Sequence, residues 1–196
     1  MSKSKHNRYH NYTQLLSKVD AMFSAAKERH VDQFKCMAGC FGCCQAGLSV
    51  SNVEARRIAG WLIDNPAVAV KIRDRTQMLD NPDYCSLLDS AGSCSIYEVR
   101  PLICRSHGMP VSMEEGSEVI GGDLNDHSNY LLTSQTDDLR DVCPLNFEGV
   151  NLESISRDDV LSLEKLNVLL SLINIDFDKL NAGERVALTT LCELQG

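Results

Sequence analysis

The chain of 196 residues is long enough for one core of ordinary size with a helical appendage. Hydrophobic residues at 43% and charged residues at 23% give a globular composition and exclude a disordered one. The formal net charge of −8 argues against a nucleic-acid-binding surface, which would need a Lys/Arg stripe to neutralise phosphates. The short basic patch of Lys3, Lys5 and Arg8 reads as a solvated tail.

No stretch approaches the ~18 consecutive apolar residues that span a bilayer, so no membrane association is expected. Residues 1–8 carry charge but lead into no apolar run, unlike a secretory signal. A cytoplasmic location is therefore expected. In that reducing compartment the nine cysteines point to metal ligation or thiol chemistry and away from disulfides.

The first predicted element is a helix over 7–30, where Tyr9, Tyr12, Leu15, Leu16, Val19, Met22, Phe23 and Ala26 make one apolar face. A cysteine-rich turn over 36–47 follows, interleaved with Gly39, Gly42 and Gly47, and residues 48–50 read as extended. Ser51 and Glu54 form an S-x-x-E capping box ahead of Ala55, Ile58, Ala59 and Leu62. Asn65-Pro66 ends that helix, because the residue before proline disfavours the α conformation, and a further helix is predicted over 67–79.

Residues 81–150 are rich in Gly, Asp, Asn, Ser and Pro and show little periodicity beyond a short turn around 95–99. So much irregular chain needs other support. Cross-links through a metal centre would supply it, and Cys85, Cys94, Cys104 and Cys143 lie here. Ser156 and Asp159 can then cap a helix carrying Val160, Leu163, Leu166, Leu170 and Ile173. Asn181 and Glu184 can cap a last one with Leu188, Leu191 and Leu194.

The expected fold is mainly α with irregular metal-stapled segments, a small single-domain cysteine-cluster fold. An N-terminal helix occupies 1–30, a cysteine-cluster metal-binding domain 31–150, and a C-terminal helical segment packing on the core 151–196.

The compact group Cys36-x3-Cys40-x2-Cys43-Cys44 carries the strongest chemical signal. Spacings of two or three residues let one turn of backbone aim several thiolates at one point. Flanking glycines let the loop fold tightly and expose N–H groups toward sulfur. In extended backbone the adjacent Cys43 and Cys44 would point in opposite directions, serving different centres or different edges of one cluster. Two four-thiolate sites, or one cluster plus structural thiols, both satisfy the count. A four-thiolate site holding Zn²⁺ or a [4Fe–4S]²⁺ core carries a net charge of about −2. Arg100 and Arg105, flanking Cys104, are candidates to donate toward that charge.

The chain resembles the YkgJ-type cysteine-cluster proteins, a zinc- or iron-chelating family. The resemblance rests on the C-x3-C-x2-C-C group and on the string from Cys94 to Arg105, which fits C-x-I-Y-x-x-R-P-x-x-C-R. Cys85 upstream and Cys143-Pro144 downstream complete the eight cysteines such proteins share, and the likeness covers roughly residues 36–147. It implies that Cys36, Cys40, Cys43, Cys44, Cys85, Cys94, Cys104 and Cys143 chelate zinc or iron, the latter as a possible [4Fe–4S] cluster. Within the string, Ile96 and Tyr97 would bracket the cysteine loop while Pro101 fixes the chain before Cys104.

Competing readings use the same thiols. The C-x3-C-x2-C spacing also occurs in radical S-adenosylmethionine enzymes, but Gly42 replaces the usual aromatic and barrel-type βα repeats are missing. The alternative function is a small iron–sulfur enzyme or accessory protein with an open cluster site. Thiol redox chemistry at Cys43-Cys44 would need an exposed thiol of depressed pKa. His107 is a possible additional ligand. Cys192 reads as a buried inert thiol. His6, His10, His30 and His127 lack a constellation, and Glu114-Glu115, Asp137-Asp138 and Asp158-Asp159 read as solvated or helix-start charge. No residue pattern names a substrate or a protein partner.

Overall fold

The computed structural model describes residues 8–76, 83–114 and 138–192. Helix α1 (His10–Arg29) buries Tyr12, Leu15, Leu16, Val19 and Ala26, the stripe that three- and four-residue spacing predicts. Strand β1 (Ser49–Ser51) runs into α2 (Asn52–Asp64), and α3 (Pro66–Thr76) begins on the proline. Proline's fixed φ suits a first helical turn, where its missing N–H costs nothing.

Among the described residues of 83–114 and 138–150, short regular elements appear where the composition shows little periodicity. Residues 115–137 of the stretch expected as irregular lie outside the described residues. A single 3-10 turn at Tyr97–Val99 leads to the short α4 (Leu102–Ser106), and β2 (Val111–Glu114) pairs antiparallel with β3 (Asp138–Asp141). Strand β4 (Leu161–Ser162) adds to β2 in parallel, giving the order β3-β2-β4. Helix α5 (Leu163–Phe177) follows, and β5 (Arg185–Ala187) returns to pair antiparallel with β1.

Helix accounts for about half of this small single domain. With five short strands among the described residues, the class is mixed rather than mainly α. Two expectations near the C-terminus fail. Ser156 caps a 3-10 turn at Arg157–Asp159, and the helix starts later, with Ser162 accepting from the Lys165 amide. The helix expected from Asn181 onward is instead β5 and a 3-10 turn at Leu188–Cys192. Pairing with β1 overrides the helical spacing of Leu188 and Leu191, which are still buried.

Two hydrophobic cores result. One gathers the α1 stripe with Val53, Leu102, Met109, Phe147 and Leu161. The other joins Ile58 and Leu62 of α2 to Ile72, Leu87, Ile96 and Leu191. Helix α2 faces both. Its N-terminal amide at Val53 donates to Asn174 of α5 at 2.9 Å, and the Asn174 amide reaches the Ala182 carbonyl at 2.8 Å. Among the described residues no helix is long and apolar enough to cross a membrane.

Two buried carboxylates tie these parts together. Asp159, expected as solvated charge, is 3% exposed and pairs with Arg29 and His30 at the end of α1. The guanidinium of Arg29, with help from His30, holds the Asp159 carboxyl below its ordinary range. His30, which has no constellation around it in the sequence, also meets the Phe147 ring edge-on. The burial of Asp159 was invisible in the sequence because His30 lies 129 residues away.

Glu54 is only 2% exposed. One oxygen accepts from the Ser51 amide at 2.9 Å and the Ser51 hydroxyl at 2.8 Å. The other accepts from the Tyr12 hydroxyl at 3.1 Å and the Leu102 amide at 2.9 Å. The capping box therefore also binds α1 and the first turn of α4. Replacing Glu54 with Gln turns an amide NH₂ toward donors, so Glu54→Gln is expected to cost about 2–4 kcal/mol in urea denaturation. Tyr12→Phe removes one donor and is expected to cost about 1–2 kcal/mol. Equal, small losses in both variants would contradict the hub.

Candidate metal centre

The eight cysteines expected as ligands are all free thiols and come from four stretches of chain. Cys36, Cys40, Cys43 and Cys44 lie on the loop between α1 and β1, which two tight turns shape. In these the Cys40 amide donates to Met37 O at 3.1 Å and the Cys44 amide to Phe41 O at 2.8 Å. Gly39 and Gly47 take left-handed φ values of 84° and 82°, which a side chain would strain. The turn at Cys43 corrects the extended-backbone expectation. Cys43 lies in a turn, and the two adjacent thiols act on each other, which raises Cys43 and lowers Cys44.

Cys85 and Cys94 sit on a small double loop. The Cys85 amide donates to Cys44 O at 2.9 Å, and an antiparallel bridge joins Leu88 to Cys94. Backbone amides two residues on point back at sulfur, Leu87 N–H at Cys85 and Ile96 N–H at Cys94. The Phe41 ring lies on Gly92, where an added Cβ would stand 2.5 Å from it, so the two loops are in close contact. Cys104 is on α4, downstream of the 3-10 turn at Tyr97–Val99.

Cys143 arrives from beyond β3, and Asn146 holds it to the first loop. The Asn146 amide nitrogen donates to the Cys36 sulfur at 3.2 Å and to Gly108 O at 2.8 Å, while its own N–H bonds Cys143 O at 2.8 Å. Its side-chain oxygen accepts from the Lys35 amide at 2.8 Å. Asn146 is 2% exposed, and its role had no signal in the sequence because Lys35 and Cys36 lie over a hundred residues away.

Electrostatics separate the thiols by neighbourhood. Burial pushes Cys36 up while the Asn146 donor pulls it down, and the charges it feels come from Cys143, Cys40 and Cys43. Cys44 is lowered, chiefly by the thiol of Cys43, and feels Cys104, Cys85 and Cys94. Burial also raises Cys85 and Cys94, and it pushes Cys104 up to about 12. Buried thiols of this kind keep their protons unless a cation stands beside them.

Arg100 supplies some of that charge. It lowers Cys43, Cys94 and Cys104, while its guanidinium lies 3.7 Å above the Tyr97 ring. Arg105 is engaged elsewhere, donating to Asp20 at 2.6 Å and to the carbonyls of Arg100 and Glu98 at 2.9 Å. It fastens α4 to α1. Tyr97 is 63% exposed, so only Ile96 of the expected apolar bracket faces inward. His107 is half-buried, and burial together with Arg100 keeps it neutral to lower pH than a free imidazole. His6 and His127 lie outside the described residues, as does the Cys192 side chain.

A family model, CxxCxxCC, "Putative zinc- or iron-chelating domain", matches residues 35–136. The chain belongs to this family. Its match takes in Cys36, Cys40, Cys43, Cys44, Cys85, Cys94 and Cys104, and leaves Cys143 beyond its end. The first spacing here is x3 where the family name has two residues. No curated protein and no solved structure gives a match.

The donor set suits a thiophilic metal: sulfur ligands, N–H groups aimed at sulfur, and a guanidinium nearby. Among the described residues no group of three or more His, Cys, Asp or Glu side chains stands ready to hold a metal ion. The fit thus rests on the chemistry of the donor set.

Gly108 tests how tightly Cys36 is held. Its φ is +94°, and an added Cβ would stand 2.7 Å from the Cys36 sulfur. Gly149 has a φ of +75° but open space around it. Gly149→Ala is expected to cost about 1 kcal/mol of backbone strain, and Gly108→Ala about 2–3 kcal/mol with faster alkylation of Cys36. Equal costs and unchanged Cys36 reactivity would show that the sulfur is not confined there.

Proposed function

We propose that the protein chelates zinc or an iron–sulfur cluster through Cys36, Cys40, Cys43, Cys44, Cys85, Cys94, Cys104 and Cys143. The observation that carries this reading is the match to a zinc- or iron-chelating domain, which takes in seven of the eight cysteines. Backbone N–H groups and the Asn146 amide act on the sulfurs of Cys85, Cys94 and Cys36 in support of it. Structural packing alone gives no reason to aim donors at sulfur. A metal-bound thiolate does, because it keeps negative charge that outer donors stabilise.

The raised thiols are consistent with this chemistry. Ligation requires thiolates, so uptake of a metal releases protons that burial otherwise keeps in place. Arg100, close enough to act on three of the cysteines, offsets the residual charge of about −2 on a four-thiolate site. Zinc and a [4Fe–4S] core share this donor preference. Chelation supports the fold directly, since the loops that carry the ligands contain little regular structure.

Anaerobic purification followed by metal and acid-labile sulfide analysis tests the reading. Stoichiometric zinc without sulfide or visible colour identifies zinc. Iron with matching sulfide and a broad visible absorption identifies a cluster. A chain free of both, with all eight thiols titrating freely in the native state, contradicts chelation.

A further inference from the structure

We propose that the protein associates as a two-fold dimer in which the outer face of α5 packs antiparallel against the same face of a second copy.

Helix α5 is apolar on two sides, but its own chain covers only one. Leu166 and Asn174 are buried, and Leu170, Ile173 and Phe177 pack against the core built on α1. On the far side Val168, Leu169, Leu172 and Ile175 are between 46% and 58% exposed. Helix α1 shows the ordinary case. Its exposed positions include His10, Gln14, Ser17, Lys18 and Lys27, with no large apolar side chain among them. A helix that is apolar inward only is finished by its own fold, whereas one apolar on both sides has a second surface to cover.

The charges indicate what covers it. At about 100° per residue, Lys165, Leu169, Leu172 and Asp176 fall within about 60° of one another. A cation and an anion therefore close the two ends of one apolar stripe, with Val168 and Ile175 along its edge. Both charged side chains are exposed, and neither has an ion-pair partner among the described residues. The midpoint between Leu169 and Leu172 is also the midpoint between Lys165 and Asp176. A two-fold axis through that point lays Leu169 on the partner's Leu172 and Lys165 beside the partner's Asp176, and symmetry repeats both contacts. A parallel pairing would set like charges together at each end. The stripe is thus complementary to itself when reversed, a property that a face made for an unrelated protein does not need. One helix pair is a small interface, so association in the micromolar range is expected. The apolar contacts supply the affinity and the ion pairs the direction.

Sedimentation velocity of the full chain across micromolar concentrations tests this, under reducing conditions so that the free thiols do not cross-link copies. Wild-type protein is expected to pass from monomer to dimer. Leu172→Glu puts two carboxylates into the seam and is expected to weaken the dimer at least about a hundredfold. Lys165→Asp alone and Asp176→Lys alone each oppose like charges at both ends and are expected to weaken it about tenfold. Both exchanges suit the helix dipole, so the fold does not suffer. An equimolar mixture of these two variants is expected to regain wild-type affinity, because each copy then supplies the charge that its partner needs. No effect within a single chain gives that result. A wild type that stays monomeric at every concentration overturns the proposal and leaves the face to a different protein. A dimer indifferent to Leu172→Glu places the contact elsewhere and overturns it as well. A mixture that associates no more tightly than its components overturns the antiparallel pairing.

Discussion

The Glu54 carboxylate is the interaction on which the positions of the other parts depend. It lies where three segments of chain meet, and each contributes a donor. A buried carboxylate is costly unless its lone pairs are filled, and four hydrogen bonds fill them here. Because one donor is the Leu102 amide, the carboxylate sets the start of α4 and therefore the place of Cys104. Because another is Tyr12, it also sets the distance between α1 and α2, the helices that bracket the first cysteine loop. Arg105 reinforces the same junction from the opposite side through Asp20 of α1.

From that junction the molecule divides. Helix α2 gives Val53 to one core and Ile58 and Leu62 to the other, and Cys85, Cys44 and Cys94 lie with the second. Regular secondary structure does little to hold the cysteine loops. Tight turns, single bridges and one buried asparagine do so instead. Such loops cannot bury enough apolar surface to be rigid by themselves, and a thiolate-bound metal is a compact way to cross-link them. Burial sets the condition for that chemistry. It raises Cys85, Cys94 and Cys104 and so favours their thiol form.

Much of the framework was legible in the sequence because its signals are local. The α1 stripe, the Ser51–Glu54 box and the break at Pro66 depend on residues a few positions apart. The CxxCxxCC family was legible for the same reason, since its motifs are short strings. What was hidden depends on distant partners. Leu188 and Leu191 have helical spacing, but β1 claims the chain before them, 136 positions away at Ser49 and Arg185. Asp158 and Asp159 look alike in sequence, yet only Asp159 is buried against Arg29 and His30. Asn146 has no motif at all. Arg100 and Arg105 both border Cys104 in the sequence, and only the fold shows that Arg100 acts on the thiols while Arg105 fastens two helices.

X-ray absorption at the metal edge of the anaerobically purified protein tests thiolate ligation most directly. The account predicts a first shell made of sulfur alone, at about 2.3 Å and four atoms per metal. A shell of nitrogen or oxygen at about 2.0–2.1 Å would contradict it, because the cysteines would then be structural thiols beside a different site.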